Sequence, residues 1–184
     1  MVESVMPRII YRHQPANRFI VSAIGEPGQR EFFLQVKSDG NLNTVAIDKG
    51  QVIALAERFE QLIRELRRGK LATAKELSAP AVQDDAPLEL PIESDFTVGI
   101  ISISWEREYV IVNLQAASEA EELLTDELDF GPDLIIANLK INQVKGFCQR
   151  ANIVVNAGRR ACPFCSLPVD PQGHLCPRAN GYRR

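Results

Sequence analysis

The sequence predicts an α+β protein in which two successive units of three antiparallel strands and one helix form a single body, followed by a short cysteine-containing tail. Apolar runs with a period of two are separated by turn residues, and each set of three runs precedes a segment with helical spacing. The length of 184 residues suits one domain with an appendage. We expect a body at residues 1–158, with units at about 8–68 and 94–158 and a linker at 69–93, and a tail at 159–184.

Short alternating runs define the strands of the first unit. Gly25-Glu-Pro-Gly28 and Asp39-Gly40 separate these runs and supply turn residues, because glycine tolerates positive φ and proline presets a turn dihedral. A first strand is predicted at residues 8–13, and the three strands that precede the helix are predicted at residues 18–25, 31–37 and 42–47.

One long helix follows these strands. Apolar side chains recur every three or four positions from Val52 to Leu66, which is the pattern of a helix with one buried face. Asp48 is the predicted N-cap of this helix, which is expected over residues 51–68. The linker after it, residues 69–93, is rich in alanine, serine, proline and aspartate. That composition predicts either a mobile connection or a loosely packed crossing segment.

The second unit shows the same order of signals. Two strands are predicted at residues 96–105 and 109–115, around a short polar corner, and a third at residues 134–139 after an acidic stretch. A helix over residues 143–155 is expected to end at Gly158, where glycine suits a left-handed C-cap.

The two units also share residues at constant offsets, which suggests an internal duplication. Phe19-x-Val21 and Arg30-Glu31-Phe32 are matched 77 residues later by Phe96-x-Val98 and Arg107-Glu108-Tyr109, and Gln51-Val52 with Arg58 is matched 92 residues later by Gln143-Val144 with Arg150. The difference between the offsets is about the length of the acidic stretch, which would be an insertion in the second copy. Chance similarity between two pieces of α+β chain is the alternative.

The cysteines of the tail have the spacing of metal ligands. Cys162-Pro-Phe-Cys165 predicts a turn in which two thiolates converge on one ion, and two further candidate ligands follow after eight residues. Those two stand at i and i+2, positions that face the same side of an extended segment. The predicted set is closed and tetrahedral, which favours structural Zn²⁺ over a catalytic metal; its ligands are Cys162, Cys165, His174 and Cys176. A disulfide, a redox C-x-x-C motif and unligated thiols are the alternatives, and Cys148, on the second helix, is expected in the core.

Arginines surround the predicted metal site. Residues 159–184 contain five arginines and one acidic residue. Such a segment could hold RNA or phosphate. It could instead be a solvated, soluble tail, or it could dock on the acidic stretch of its own or another chain. The candidate partner contacts there are Arg178, Arg183 and Arg184. Arg30 and Arg107, one in each unit, are candidate anion or partner contacts.

The overall composition excludes several classes of protein. At 45% hydrophobic and 24% charged residues, disorder is not the expectation for the whole chain. A net charge of -3 argues against a chain-wide nucleic-acid binder. No apolar run reaches the roughly 18 residues that a spanning helix requires, and the first residues lack a signal-peptide pattern. We therefore expect a cytoplasmic protein without membrane contact, in which thiols stay reduced.

Three motifs carry a resemblance to a known family. They are Gly25-Glu-Pro-Gly-x-Arg30-x-Phe32, Leu88-x-Leu90-Pro91, and the tail from Cys162-Pro-x-Cys165 to Gly173-His174-x-Cys176-Pro177-Arg178. On these residues the chain resembles the DUF3090 family, an uncharacterised group, over nearly its whole length. The resemblance implies the metal site but no activity. Ser166 is a departure, since such knuckles commonly carry glycine there, and it leaves the ligands unchanged.

From the residues alone, the leading interpretation is a non-enzymatic binding or adaptor protein that engages protein or nucleic acid, partly through the arginine-rich tail. The alternative is an enzyme acting on a phosphorylated or carboxylate small molecule in a cleft between the units, near Arg30 and Arg107, because paired arginines suit such anions. The sequence shows no nucleophile or acid/base motif that would decide between these two.

Overall fold

A computed structural model describes the chain at residues 7–26, 28–119, 121–124 and 130–157, and in the tail at residues 162–165, 169, 176 and 178. The strands are β1 (Ile10–His13), β2 (Arg18–Ile24), β3 (Glu31–Ser38), β4 (Asn41–Ile47), β5 (Phe96–Glu106), β6 (Tyr109–Ala116) and β7 (Leu134–Leu139). The helices are α1 (Lys49–Gly69), α2 (Ala74–Ser78) and α3 (Ile141–Asn156). The α+β class is therefore confirmed. Gly158, the predicted end of α3, lies outside the described residues.

The strands form one sheet in the order β1-β7-β6-β5-β4-β3-β2. β2-β3-β4 and β5-β6-β7 are antiparallel groups, and each is followed by a long helix. Two parallel pairings complete the sheet: β4 joins β5 through Val45–Phe96 and Ala46–Thr97, and β1 joins β7. Neither parallel pairing is predictable from local patterns, because parallel strands are joined by long crossovers rather than by a recognisable turn.

The core lies between the sheet and the two long helices. Three aromatic rings meet there: the Phe19 centroid lies 6.3 Å from that of Phe59 and 5.1 Å from that of Phe147, and the last two are 5.5 Å apart. Burying each such ring contributes about 1.5–3 kcal/mol. α1 begins where the sequence indicates, because the Asp48 carboxylate accepts from Gly50 N at 2.9 Å and the Gln51 amide oxygen accepts from Asp48 N at 3.0 Å.

Residues 70–95, the crossing segment, connect α1 to β5 and run over the body. They contain α2, which the composition did not indicate and which a Thr73–Glu76 capping box begins. Further on, Val82 N donates to Asn142 O at 2.9 Å, directly above Gly146 of α3. Because a Cβ on Gly146 would lie 2.1 Å from Val82 O, only glycine permits this approach.

The second half of the crossing segment is held by polar contacts to β2 and β3. Asp84 receives two hydrogen bonds from Arg18, Nε to Oδ2 at 2.6 Å and Nη2 to Oδ1 at 2.9 Å. Gln35 exchanges two hydrogen bonds with the Glu89 backbone, at 2.8 and 2.9 Å, in the manner of a strand pairing. Leu88 between them is buried. These contacts hold the crossing segment against β2 and β3.

A buried histidine joins the edge of the sheet to strands that are not its neighbours. His13, at the end of β1, lies 2.7 Å from Ser38 Oγ and 2.8 Å from Asn43 Oδ1, and Asn43 Nδ2 donates to Asp95 at 2.9 Å. β1 and β4 are separated in the sheet by β7, β6 and β5. The sheet therefore curls until β1 meets the hairpin formed by β3 and β4.

Candidate metal centre

Three cysteine sulfurs converge in the tail. The Sγ atoms of Cys162, Cys165 and Cys176 all lie within 4.8 Å of one another, and those of Cys162 and Cys176 are 3.7 Å apart. None of the three forms a disulfide, whose S–S bond is about 2.05 Å. Cys162 and Cys176 are buried and Cys165 is half-buried. Three sulfurs this close together could bind one metal ion, because thiolates are soft ligands for metals.

The turn that brings the first two cysteines together also favours a charged sulfur. Burial opposes a thiolate at Cys162, but hydrogen bonds from the backbone N–H groups of Cys165 and Phe164, and hydrogen bonding with the thiols of Cys165 and Cys176, hold its pKa below the ordinary thiol value. Metal ligation requires the thiolate. The local backbone therefore stabilises the protonation state that a metal needs.

The outer side of this turn is open to solvent. Phe164, between the first two cysteines, is 61% exposed, although phenylalanine side chains in proteins are usually buried. Arg178, which is exposed, donates from Nη1 to Phe164 O at 3.3 Å. The cluster thus presents one aromatic ring and one guanidinium on its surface.

Cys148 has a different environment from the three tail cysteines. It is buried in α3, where Sγ lies 3.6 Å from Ala56 O of α1. Burial, and to a lesser extent the charge of Glu60, raises the pKa of Cys148 to about 12. This thiol is a core residue, as expected from its place on a helix.

The other candidate residues are spread over the molecule. Arg30, half-buried just before β3, donates from Nη2 to Ala157 O at 3.2 Å, just after the end of α3. Arg107 is exposed in the β5–β6 turn with φ of 57°. His174, Arg183 and Arg184 lie outside the described residues.

Two polar features of the body could not be predicted from the sequence: a hydrogen-bond network and a cavity. One is the His13 network, since its partners stand 25 and 30 residues further along the chain. The other is a small cavity lined by residues of β2, α3 and the crossing segment, among them Arg18, Phe147 and Arg150. Arg18 and Arg150 both contact Asp84 there. The residues of each feature are far apart in the sequence, and no one of them forms a recognisable motif. The sequence therefore does not indicate that they meet.

Comparison with known proteins identifies a family. A family model described as "Protein of unknown function (DUF3090)" matches residues 11–176. This span contains all three helices, strands β2 to β7, all of β1 except its first residue, and the three clustered cysteines. No curated protein matches the chain, and no solved structure matches it. Among the described residues, no helix has both the length and the apolarity needed to cross a membrane.

Proposed function

Since this chain belongs to the DUF3090 family, whose activity is unknown, we propose from its own cysteine cluster that it is a zinc-binding protein that acts as a binding or adaptor protein. The observation that carries this proposal is the convergence of three cysteine sulfurs, none of them in a disulfide, within 4.8 Å of one another.

The ligand chemistry favours zinc and a structural role. Thiolates select soft or borderline ions, and C-x₂-C turns followed by one further pair of ligands are typical of structural Zn²⁺ sites. His174 stands two residues before Cys176, so we assign it as the fourth ligand. Three thiolates and one imidazole leave no position for a catalytic water.

The surface of the cluster supports a role in binding. Charge is divided unevenly along the chain, because residues 159–184 have a net charge of +4 and residues 1–158 a net charge of -7. An exposed ring and guanidinium, Phe164 and Arg178, suit contacts with a protein or nucleic acid. The partner contacts proposed from the sequence, Arg183 and Arg184, belong to the same basic segment.

The rival proposal, an enzyme with a cleft near Arg30 and Arg107, has less support. Arg30 donates a hydrogen bond to the end of α3, and the cavity described above is lined by Arg18 and Arg150 instead. An arginine pair that holds a small anion must converge on one cavity. Binding of inorganic phosphate that is lost in both R30A and R107A would restore the enzyme proposal.

We also propose that the two βββα groups arose by duplication. Support comes from the glutamines at equivalent helix starts, because Gln51 accepts from Asp48 N and Gln143 from Lys140 N. Gln51 also donates to Val98 O in β5, the strand that pairs in parallel with β4. Gln143 donates in the same way to Ala16 O, which follows β1, the strand that pairs in parallel with β7.

Metal analysis with single-cysteine variants tests the zinc proposal. We expect one zinc per chain in the purified protein, a loss of zinc in C165S, and full zinc in the control C148S, which removes a thiol outside the cluster. H174A should weaken zinc binding at least tenfold. A protein without zinc, or equal zinc in C165S and wild type, would contradict the proposal.

Capture of partners tests the adaptor role. Wild-type protein, F164A and the control F130A, which removes a similarly exposed ring elsewhere (57% exposed), would be incubated with host lysate with and without nuclease. We expect partners that F164A loses and F130A keeps, and nuclease treatment separates nucleic acid from protein. Identical capture by all three proteins would contradict a role for the knuckle surface.

A further inference from the structure

Strand β5 is longer than its neighbour β4, and part of it has an open edge. β5 extends over Phe96–Glu106, but β4 pairs with it only at Phe96 and Thr97. β6 pairs with the other side of β5 as far as Glu106. Within the described part of the chain, no strand pairs with the outer side of residues 100–106, so alternate backbone N–H and C=O groups there face away from the sheet.

The other edges of the sheet have features that discourage pairing. At β2, Arg150 of α3 donates from Nε to Val21 O at 2.7 Å, and the crossing segment lies alongside. β1 has only four residues and includes an exposed arginine, Arg12. Residues 98–105 of β5 contain neither a charged residue nor proline. Long, uncharged edges are the ones through which strands of different chains pair.

We propose that this edge pairs with the same edge of a second copy of the chain, so that two sheets join through antiparallel β5 strands. A two-fold axis through Ile103 pairs all seven residues of 100–106. In this register Ile101 stands opposite Trp105 and Ser102 opposite Ser104 of the other copy, and both pairings are favourable across strands.

A second copy fits this edge for two reasons. The seven residues carry one charge, Glu106, which the two-fold register places opposite Ile100, so no like charges face each other. The apolar faces of the two sheets also match. Ile101, Ile103 and Trp105 pack on the core side of their own sheet, and in this register the same three residues of the second copy lie on the same side of the joined sheet. An uncharged edge offers a charged peptide no complementary group, and this favours self-association over a charged partner.

Analytical ultracentrifugation of the full chain, with its metal, tests the proposal. We expect a concentration-dependent shift from the 20.5 kDa chain to a mass of about 41 kDa. The variant S102K/S104K places lysines opposite each other across the two-fold axis, and we expect it to raise the dissociation constant at least tenfold. The control S78K/S94K adds the same charge outside the strands and should dimerise like wild type. Equal dimerisation of S102K/S104K and wild type would overturn the proposal.

Hydrogen exchange of the wild-type chain locates the interface without any substitution. We expect amides of residues 100–106 that point away from β6 to become at least tenfold more protected as concentration rises through the dissociation constant. A dimer in which these amides stay unprotected would overturn the assignment. So would a monomer at all concentrations, including one in which the amides are already protected by another part of the chain. Metal content is measured separately, so either result leaves the zinc proposal standing.

Discussion

Replacing Gly146 by alanine should release the crossing segment from α3. A Cβ at this position would lie 2.1 Å from Val82 O and 3.1 Å from Val82 C, whereas real Cβ contacts are hardly ever shorter than 3.0 Å. The obstructing atoms belong to backbone, so rotation of a side chain cannot relieve the overlap. The crossing segment must therefore move by about 1 Å, away from the hydrogen bond between Val82 N and Asn142 O.

The size of the effect follows from opposing contributions. Alanine in a helix is favoured over glycine by about 1 kcal/mol. Against this, steric overlap in a packed region costs about 1–3 kcal/mol, and the lost backbone hydrogen bond costs about 1 kcal/mol. We expect G146A to lower the free energy of unfolding by about 1–3 kcal/mol, despite its better helix propensity.

Urea unfolding followed through Trp105 fluorescence measures this change, since Trp105 is the only tryptophan and packs against the core. The control is G50A in the first turn of α1, where the nearest atom to a new Cβ is Asp48 Oδ1 at 3.3 Å. G50A should be within about 0.5 kcal/mol of wild type. If G146A were as stable as G50A, the close approach of the crossing segment to α3 would be refuted.

Further predictions concern titration, reactivity and pairing. Burial lowers the pKa of His13, so on acidification the unfolded chain, whose histidines titrate near about pH 6.5, takes up the proton first. The free-energy advantage of wild type over H13Q should therefore be complete above about pH 6.5 and shrink as the pH falls, as measured by urea unfolding; an advantage independent of pH would contradict this. Because the pKa of Cys148 is raised to about 12, this thiol should resist alkylation in the folded protein at pH 8, as mass spectrometry would show, and rapid modification would contradict its burial. A double-mutant cycle of R18A and D84A should yield a coupling energy of about 1–2 kcal/mol, because the pair is bidentate and mostly shielded from water; a coupling near zero would mean that Asp84 does not hold the crossing segment.

Local signals account for most of the secondary structure. Asp39-Gly40 predicts the β3–β4 hairpin because both residues must adopt positive φ, and they do, at 35° and 90°. Asp48 predicts the start of α1 because its carboxylate can accept from a free N–H of the first turn. α2 was missed because its five residues leave too little room for helical periodicity, although the Thr73–Glu76 pair was present in the sequence.

Long-range relations could not be predicted in the same way. The pairing of β1 with β7 joins Ile10 to Leu134, and a short apolar strand does not indicate its partner. His13 likewise has no local sign of its hydrogen bonds to β3 and β4. The cysteine cluster is the exception, because its ligands are close together in sequence and a metal needs their side chains in a narrow range of spacings. His174, Arg183 and Arg184 lie outside the described residues and therefore remain predictions.

The route of the crossing segment sets the order in which this protein can mature on the ribosome. Leu77 and Ala79 accept hydrogen bonds from Lys145, at 2.7 and 2.8 Å, and Asp84 contacts Arg150, so partners of a segment made midway through translation are synthesised more than 60 residues later. β1 and its partner β7 are separated by a still longer stretch of chain. A nascent chain that stops before β7 therefore exposes both an unpaired first strand and an undocked crossing segment, which makes it a substrate for chaperones and proteases.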